Sequence, residues 1–436
     1  MKRMLLTGNG AAAWGARLAA CDYIPAFPIT PQTEIIEDIA TWIDYDEMDA
    51  RIVTLESEHS MITAAGTAAA TGVRVFSATS SQGLLYGMEM LYTVSGWRAP
   101  FVLVNVSRGL ATPITLEADH NDILAARDSG FLQIHCSTCQ EVLDNTLIAF
   151  RLAEDERIRL PVIVNLDGFY LSFTREPVEV PNFDAAKKFV GDFNAENIRF
   201  RASSPISQAV AVLGGSAYSY FRYETHLAAL NGITVYDEIA AEFSAQFGRQ
   251  YDVIENYYAE DAEFVFVMMG SFSTKAKQAV DELRNAGWSI GLLRPRLLRP
   301  FPEKYFQKYL AEKKAVAVID QNISMGMGGV LHSELAGALY GQTNAPKHLL
   351  SFIGGLGGRD ISAEEFFEIA IAMRDAKKTG QTPPPRLMYT KTELSEIRKL
   401  QAIASVERDE LGDKELGDKE LGDKTLGEKT LGEKND

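Results

Sequence analysis

The stretch PFVLVNVSRG, residues 100–109, is an almost unbroken apolar run that closes on a serine, an arginine and a glycine. A valine-rich run without polar alternation has no face for water, so it fits a strand buried on both sides. Four more runs of this kind occur: RIVTLE at 51–56, VRVFSATS at 73–80, FLQIHCS at 131–137 and LPVIVNLDGF at 160–169. Ala/Gly-rich or amphipathic stretches separate them, which is the spacing of βαβ units in a parallel sheet covered on both faces. Such sheets bind ligands beyond the carboxyl ends of their strands. That rule singles out Thr30, Glu56, Glu58, Ser80 to Gly83, Arg108 and Asp167.

The alternation fades between about residue 176 and residue 250, where a polar extended stretch precedes expected helices at SPISQAVAVLGG (204–215) and YDEIAAEFSAQFG (236–248). A second α/β unit starts at AEFVFVMMGSFSTKAKQAVDELRNAG (262–287), a strand, a Gly-Ser turn and a helix. The expected organisation is a first α/β domain with its covering segment over 1–240 and a smaller doubly wound domain over 255–376. A helical extension over 377–409 and a low-complexity tail over 410–436 complete it. The tail repeats LG(D/E)K every five residues from Leu411 to Lys434, a period that suits neither a helix nor a strand, so alone in water it is expected to be disordered.

The 436 residues are 46% hydrophobic, enough for several buried cores, and carry a net charge of −16, which argues against a nucleic-acid surface. No apolar run is long enough to span a bilayer. The N-terminal MLLTGNGAAAWGAR reads as a strand and a helix rather than a signal peptide, because glycines and Arg17 interrupt it, and the expected compartment is the cytoplasm. Three cysteines, Cys21, Cys136 and Cys139, make no disulfide framework; the CxxC pair lacks a second pair, so no metal is assigned to this chain.

GNGAAA, with Gly8, Gly10 and Ala13, fits a dinucleotide-binding fingerprint, but the run that should end in a ribose-binding acid ends instead in FPIT. A nicotinamide site is the weaker reading. In FPITPQTE (27–34) two prolines bracket Thr30, either to stop a strand and start a helix or to aim one hydroxyl from a stiffened strand exit. Glu56 and Glu58 open a helix of small residues, LESEHSMITAAGTAAATG, a pattern expected to pack closely against another surface, with a second subunit covering the carboxylate. Arg108 suits bidentate capture of a carboxylate; the alternative is an ion pair with Asp119 or Asp122.

FPITPQTEIIEDI, LESEHSMITAAGTAAATG, ATSSQGLLYGMEMLY, SRG followed by ADHND, PVIVNLDGF, RPFP, VIDQNISMGMGG and IGGLGGRD occur in that order. Together they resemble the α subunit of thiamine-diphosphate-dependent 2-oxoacid:acceptor oxidoreductases, the pyruvate:ferredoxin oxidoreductase family, over roughly residues 5 to 372. The resemblance implies two doubly wound parallel-sheet domains, one that grips the pyrimidine of the cofactor and one like the C-terminal domain of transketolases. It implies oxidative decarboxylation of a 2-oxoacid with coenzyme A to acyl-CoA and CO2. Thiamine diphosphate is then shared with a β subunit that holds the diphosphate and magnesium. Electrons pass to iron–sulfur clusters on γ and ferredoxin-like δ partner subunits, and on to ferredoxin or another acceptor. By the same resemblance Glu58 is the catalytic carboxylate on the pyrimidine ring nitrogen, favouring its imino tautomer. Thr30 and Arg108 contact the substrate, and Ser80, Ser81, Gln82 and Gly83 lie in the cofactor-binding segment.

The chain lacks a Gly-Asp-Gly magnesium motif and a cluster-forming cysteine set, so it cannot carry the whole reaction. It departs from pyruvate-type members at Ser107, Gly109 and Glu117, where Asn, Ala and Trp are usual. Loss of the aromatic at 117 points to room for an aryl 2-oxoacid such as phenylglyoxylate. A non-catalytic scaffold subunit is the alternative from another class, opposed by the joint presence of Thr30, Glu58 and Arg108.

Overall fold

The computed structural model describes residues 1–193, 202–207 and 210–406. Its strands are β1 (Lys2–Thr7), β2 (Tyr23–Ala26), β3 (Arg51–Thr54), β4 (Phe76–Thr79), β5 (Val102–Ser107), β6 (Leu132–His135), β7 (Val162–Asp167), β8 (Arg175–Val180), β9 (Ile254–Tyr257), β10 (Phe264–Met268), β11 (Ile290–Pro295), β12 (Leu297–Arg299), β13 (Ala315–Asp320) and β14 (Leu349–Ile353). The chain divides into two units, Met1–Arg386 and Leu387–Asp436. In the second, a helix covers 391–406; the LG(D/E)K repeat lies outside the described residues.

In the first domain, β6, β7, β5 and β4 lie side by side and parallel, in that order. Every residue of these four strands is buried, as expected of runs with no polar alternation. β2 and β3 form a parallel pair, joined to the strand region before β4 by a bridge from Tyr23 to Val75. In the second domain the order is β14, β13, β10, β11 and β9, parallel except for β9. Helices cover these strands, and the chain is α/β with two parallel-sheet domains.

The sequence is overturned in three places. β1 does not enter the parallel sheet; it pairs antiparallel with β8, so GNGAAA does not form the strand-turn-helix of a dinucleotide site. Gly8 serves packing instead, since a methyl on it would stand 2.7 Å from the Leu171 carbonyl, and so does Gly15 further along the same helix, where a methyl would stand 2.6 Å from the Thr146 side chain. The segment expected to be a helix at 204–215 is not helical in its described part before Gly215. Val210 and Leu213 are exposed there, so a helix would have no apolar face to bury. Instead one long helix, Gly215–Phe247, absorbs the expected helix at 236–248. Finally, β12 leaves the second domain and pairs antiparallel with β6 of the first.

That exchange carries a buried ion network between the domains. Arg294, fully buried, donates through Nη2 to Glu141 at 2.6 Å and through Nε to Glu255 at 2.6 Å; Arg296 donates to Glu141 at 3.1 Å. Burial opposes the charge on Glu141, yet the two guanidinium groups outweigh it and hold the carboxyl down at about 2. No helix among the described residues is long and apolar enough to cross a membrane.

Glu141→Gln is expected to destabilise the chain by about 3–5 kcal/mol at neutral pH, because it leaves two guanidinium groups buried with Glu255 alone to balance them. The stabilisation is fully present above the ordinary carboxyl value of 4.5 and is lost as pH falls towards about 2. Urea midpoints at pH 7 and pH 3 test this. A loss under about 1 kcal/mol at pH 7 would make the network no stronger than an exposed pair.

Candidate functional site

Ser57 caps the helix Glu58–Ala70 by accepting from the Ser60 amide, which sets Glu58 in the first turn at the exit of β3. Glu58 is 5% exposed, and burial raises its pKa although a helix start favours a carboxylate. Its neighbour Glu56 is exposed and accepts from Ser60 Oγ, which lowers its pKa. The two acids therefore differ in kind. Glu58 lies against Gly83: a methyl there would overlap Glu58 Oε1 and stand 2.7 Å from Thr79 Oγ1. The hydroxyls of Thr79 and Ser80 are buried with no hydrogen-bond partner among the described residues. Contrary to expectation, no second subunit is needed to bury this carboxylate. The small residues of its helix likewise pack inside the chain, Gly66 against Val94.

Asp122 ties two strand exits together. Its Oδ2 accepts from the amides of Ser81 (3.0 Å) and Arg108 (3.3 Å) and from Asn105 Nδ2 (3.1 Å). Its Oδ1 accepts from Ser107 Oγ (2.8 Å) and the Ile123 amide (2.7 Å). Burial nevertheless outweighs these bonds and raises its pKa. Ser81 has a left-handed backbone, φ 49°, a strained state for a serine that the Asp122 bond helps to hold.

Arg108, 7% exposed, forms no ion pair with Asp119 or Asp122; Asp122 takes its backbone amide instead. The guanidinium donates through Nη1 to the Thr30 carbonyl at 2.8 Å and through Nη2 to Gln82 Oε1 at 2.6 Å, and Nε has no partner among the described residues. Burial lowers its pKa. The structure thus gathers Thr30, Gln82 and Arg108, and sets Glu58 beside Gly83 on the same turn. Thr30 is exposed, and Pro31 after it packs on Gly168.

The second domain meets this region at buried polar groups that sequence reasoning did not pair. His120 Nε2 lies 2.8 Å from Asp167 Oδ1, and Asp167 Oδ2 accepts from the Ser271 amide at 2.7 Å and from the Ser271 hydroxyl. Burial opposes both charges, but each holds the other, so His120 is pushed up and Asp167 down. The loop after Arg108 closes where the Gly109 amide donates to the Glu117 carbonyl at 2.9 Å, and the exposed Glu117 packs on Gly358 of the second domain. Thr79 and His120 lie within the motifs ATSSQGLLYGMEMLY and ADHND without a role assigned to them, and Asn105 lies within an apolar run whose only signal is its place near a strand exit. Cys136 and Cys139 are buried, with thiols pushed up by burial. Among the described residues no three His, Cys, Asp or Glu side chains gather as a metal site.

Two family models match the chain: "Pyruvate flavodoxin/ferredoxin oxidoreductase, thiamine diP-bdg" over residues 14–241 and "Pyruvate:ferredoxin oxidoreductase core domain II" over residues 262–366. The pyruvate synthase subunit PorA of Pyrococcus abyssi is 38% identical over 383 residues, 88% of this chain and 96% of that protein. PorA of Thermotoga maritima is 40% identical over 374 residues, 85% of this chain and 95% of its own length. The ketoisovalerate oxidoreductase subunit VorA of Pyrococcus horikoshii is 38% identical over 381 residues, 87% and 95% of the two chains. Among solved structures, the 2-oxoglutarate:ferredoxin oxidoreductase of Magnetococcus marinus shares the fold, with a TM-score of 0.66 at 19% identity, over 85% of this chain and 65% of that one.

Gly83→Ala is expected to displace the Glu58 carboxylate and cost about 1–3 kcal/mol through overpacking. In a Glu58→Ala background much of that cost should vanish, giving a coupling of about 1 kcal/mol or more in a double-mutant cycle read by thermal unfolding. Simple additivity would mean that the carboxylate does not press on Gly83.

Proposed function

This chain belongs to the pyruvate:ferredoxin oxidoreductase family and is a subunit of a CoA-acylating 2-oxoacid oxidoreductase, and from that premise we propose that its strand exits grip the aminopyrimidine of thiamine diphosphate and the carboxylate of the 2-oxoacid. The observation that carries this reading is Glu58. It is a buried carboxylate with a raised pKa and no salt-bridge partner among the described residues, set against Gly83 next to the Thr79 hydroxyl, which likewise has no hydrogen-bond partner among them. Buried polar atoms without partners are rare in folded proteins and mark places where a ligand completes the bonding. The donors and acceptors here suit a flat heterocycle that both gives and takes hydrogen bonds.

When bound, thiamine diphosphate supplies the carbanion chemistry that decarboxylates 2-oxoacids. This chain's share is orientation and proton control. Glu58 holds a proton shared with the pyrimidine ring nitrogen, and its desolvation strengthens that bond. The turn Ser80, Ser81, Gln82 and Gly83 would border the cofactor, with Gly83, lacking a side chain, leaving room for the Glu58 carboxylate. Arg108, a buried guanidinium without an ion-paired carboxylate, receives the substrate carboxylate, with the Thr30 hydroxyl beside it. A β-type partner holds the diphosphate and magnesium, and iron–sulfur partners of γ and δ type take the electrons. The relatives' names as enzyme subunits support such an assembly. Pyruvate and branched 2-oxoacids are the substrates of the named relatives; an aryl acid rests on Glu117 alone.

Coenzyme A-dependent oxidation of a panel of pyruvate, 2-oxoisovalerate, 2-oxoglutarate and phenylglyoxylate by the purified complex tests the reading. In the same assay Glu58→Gln is expected to lose about a hundredfold or more in kcat with the complex still assembled. Glu56→Gln should stay within a few-fold. Activity of Glu58→Gln near that of the unaltered complex would reject the role given to Glu58.

A further inference from the structure

The hydrogen bonds around Gln82 settle which way its amide points. Its Oε1 lies 2.6 Å from Arg108 Nη2 and 2.7 Å from Ser81 Oγ, two groups that can donate, whereas the reversed amide would turn its NH2 towards a guanidinium. The Nε2 is thereby turned away from both, and it is buried with no hydrogen-bond partner among the described residues. Arg108 Nε is in the same state. Two buried donors, one charged and one neutral, belong to side chains that are bonded to each other and lack acceptors. Of the two acids at this turn, Asp122 takes the Ser81 and Arg108 backbone amides and Glu58 lies against Gly83, so neither is bonded to the Arg108 guanidinium.

From this we infer that Gln82 Nε2 is a second donor to the carboxylate of the 2-oxoacid, acting with Arg108, so that Gln82 sets acceptance of the substrate rather than of the cofactor. The inference rests on the reading of Arg108 given above. A carboxylate has two oxygens and is acceptor-only, so it satisfies two neighbouring donors at once; a neutral ring offers no such pair. The Asp122 bonds to the Ser81 and Arg108 amides hold both donors at a fixed separation before substrate arrives. Preorganised donors lose less freedom on binding, and each bond to a charged acceptor is worth more than a neutral one. The division of labour within the turn is then clear: Gly83 faces Glu58, and Gln82 faces Arg108.

The test uses the assembled complex carrying Gln82→Met, which removes the donor without adding charge, and Gln82→Glu, which sets a carboxylate on Arg108 Nη2. KM and kcat are measured for pyruvate and for 2-oxoisovalerate, and thiamine diphosphate affinity is measured separately by calorimetry. Gln82→Met should raise KM about tenfold and Gln82→Glu up to about a hundredfold, by the same factor for both acids because they share the carboxylate and differ only in the side chain. Thiamine diphosphate affinity should stay within about twofold. A weakened cofactor with unchanged KM would return Gln82 to the cofactor and overturn the inference. So would unchanged KM with unchanged cofactor, or a rise confined to one acid. Failure of the unaltered complex to oxidise any 2-oxoacid would instead strike the underlying functional reading.

Discussion

Asp122 is the constraint on which the site depends. One carboxylate, buried where a charge is costly, receives the amides of Ser81 and Arg108 and the side chains of Asn105 and Ser107, and so locks the exits of β4 and β5 to each other. Removing it would leave several donors buried without acceptors, the expensive direction of a hydrogen-bond change. Because the bonds run to backbone amides, the position of the Arg108 side chain is set by the fold and not by an ion pair. That is why the guanidinium is left to bind Thr30 and Gln82 and, in the function proposed above, the carboxylate of the substrate.

Glu58 belongs to the same logic from the other side of the turn. Burial makes its charge unfavourable and outweighs the backbone hydrogen bond at the helix start, with no salt-bridge partner among the described residues. An isolated protein gains nothing from such an arrangement, but a site that must share a proton with a bound base does. The seam between the domains is built differently. Each charge of Arg294, Arg296, Glu141 and Glu255 has an ionic partner, as have His120 and Asp167, and although Arg296 Nε and His120 Nδ1 are buried without a hydrogen-bond partner among the described residues, the pairing makes those charges part of the seam.

Much of this was legible in the amino-acid order. Four of the apolar runs became the fully buried strands β4 to β7, because unalternated valine and leucine leave no face for water, and strand exits then named Glu58, Ser80 to Gly83 and Arg108; the fifth run, RIVTLE, became β3, which is half-buried or exposed and pairs with β2 outside that sheet. Sequence also named Asp122 as a partner of Arg108, but gave the wrong atoms; whether a carboxylate meets a side chain or a backbone amide is decided by loop geometry that spacing does not encode. The pairing of β1 with β8 and the transfer of β12 to the first sheet depend on contacts far apart in the chain, and no local pattern announces them. Thr79 stands within a quoted motif but received no role of its own, because that its hydroxyl is buried without a partner among the described residues is visible only in the structure. The small residues after Glu58 imply close packing against another surface, and Val94 of the same chain packs on Gly66 there; the second subunit expected over the carboxylate is not what buries it.

The central claim is that Glu58 acts on the pyrimidine of thiamine diphosphate through its ionisable proton. The most direct measurement is the near-ultraviolet circular dichroism of thiamine diphosphate bound to the complex, compared between the unaltered chain and Glu58→Gln, with occupancy fixed by calorimetry. The account predicts that the cofactor binds to both and that the signal of its imino form appears only with the glutamate. The same signal from a fully loaded Glu58→Gln complex would contradict it.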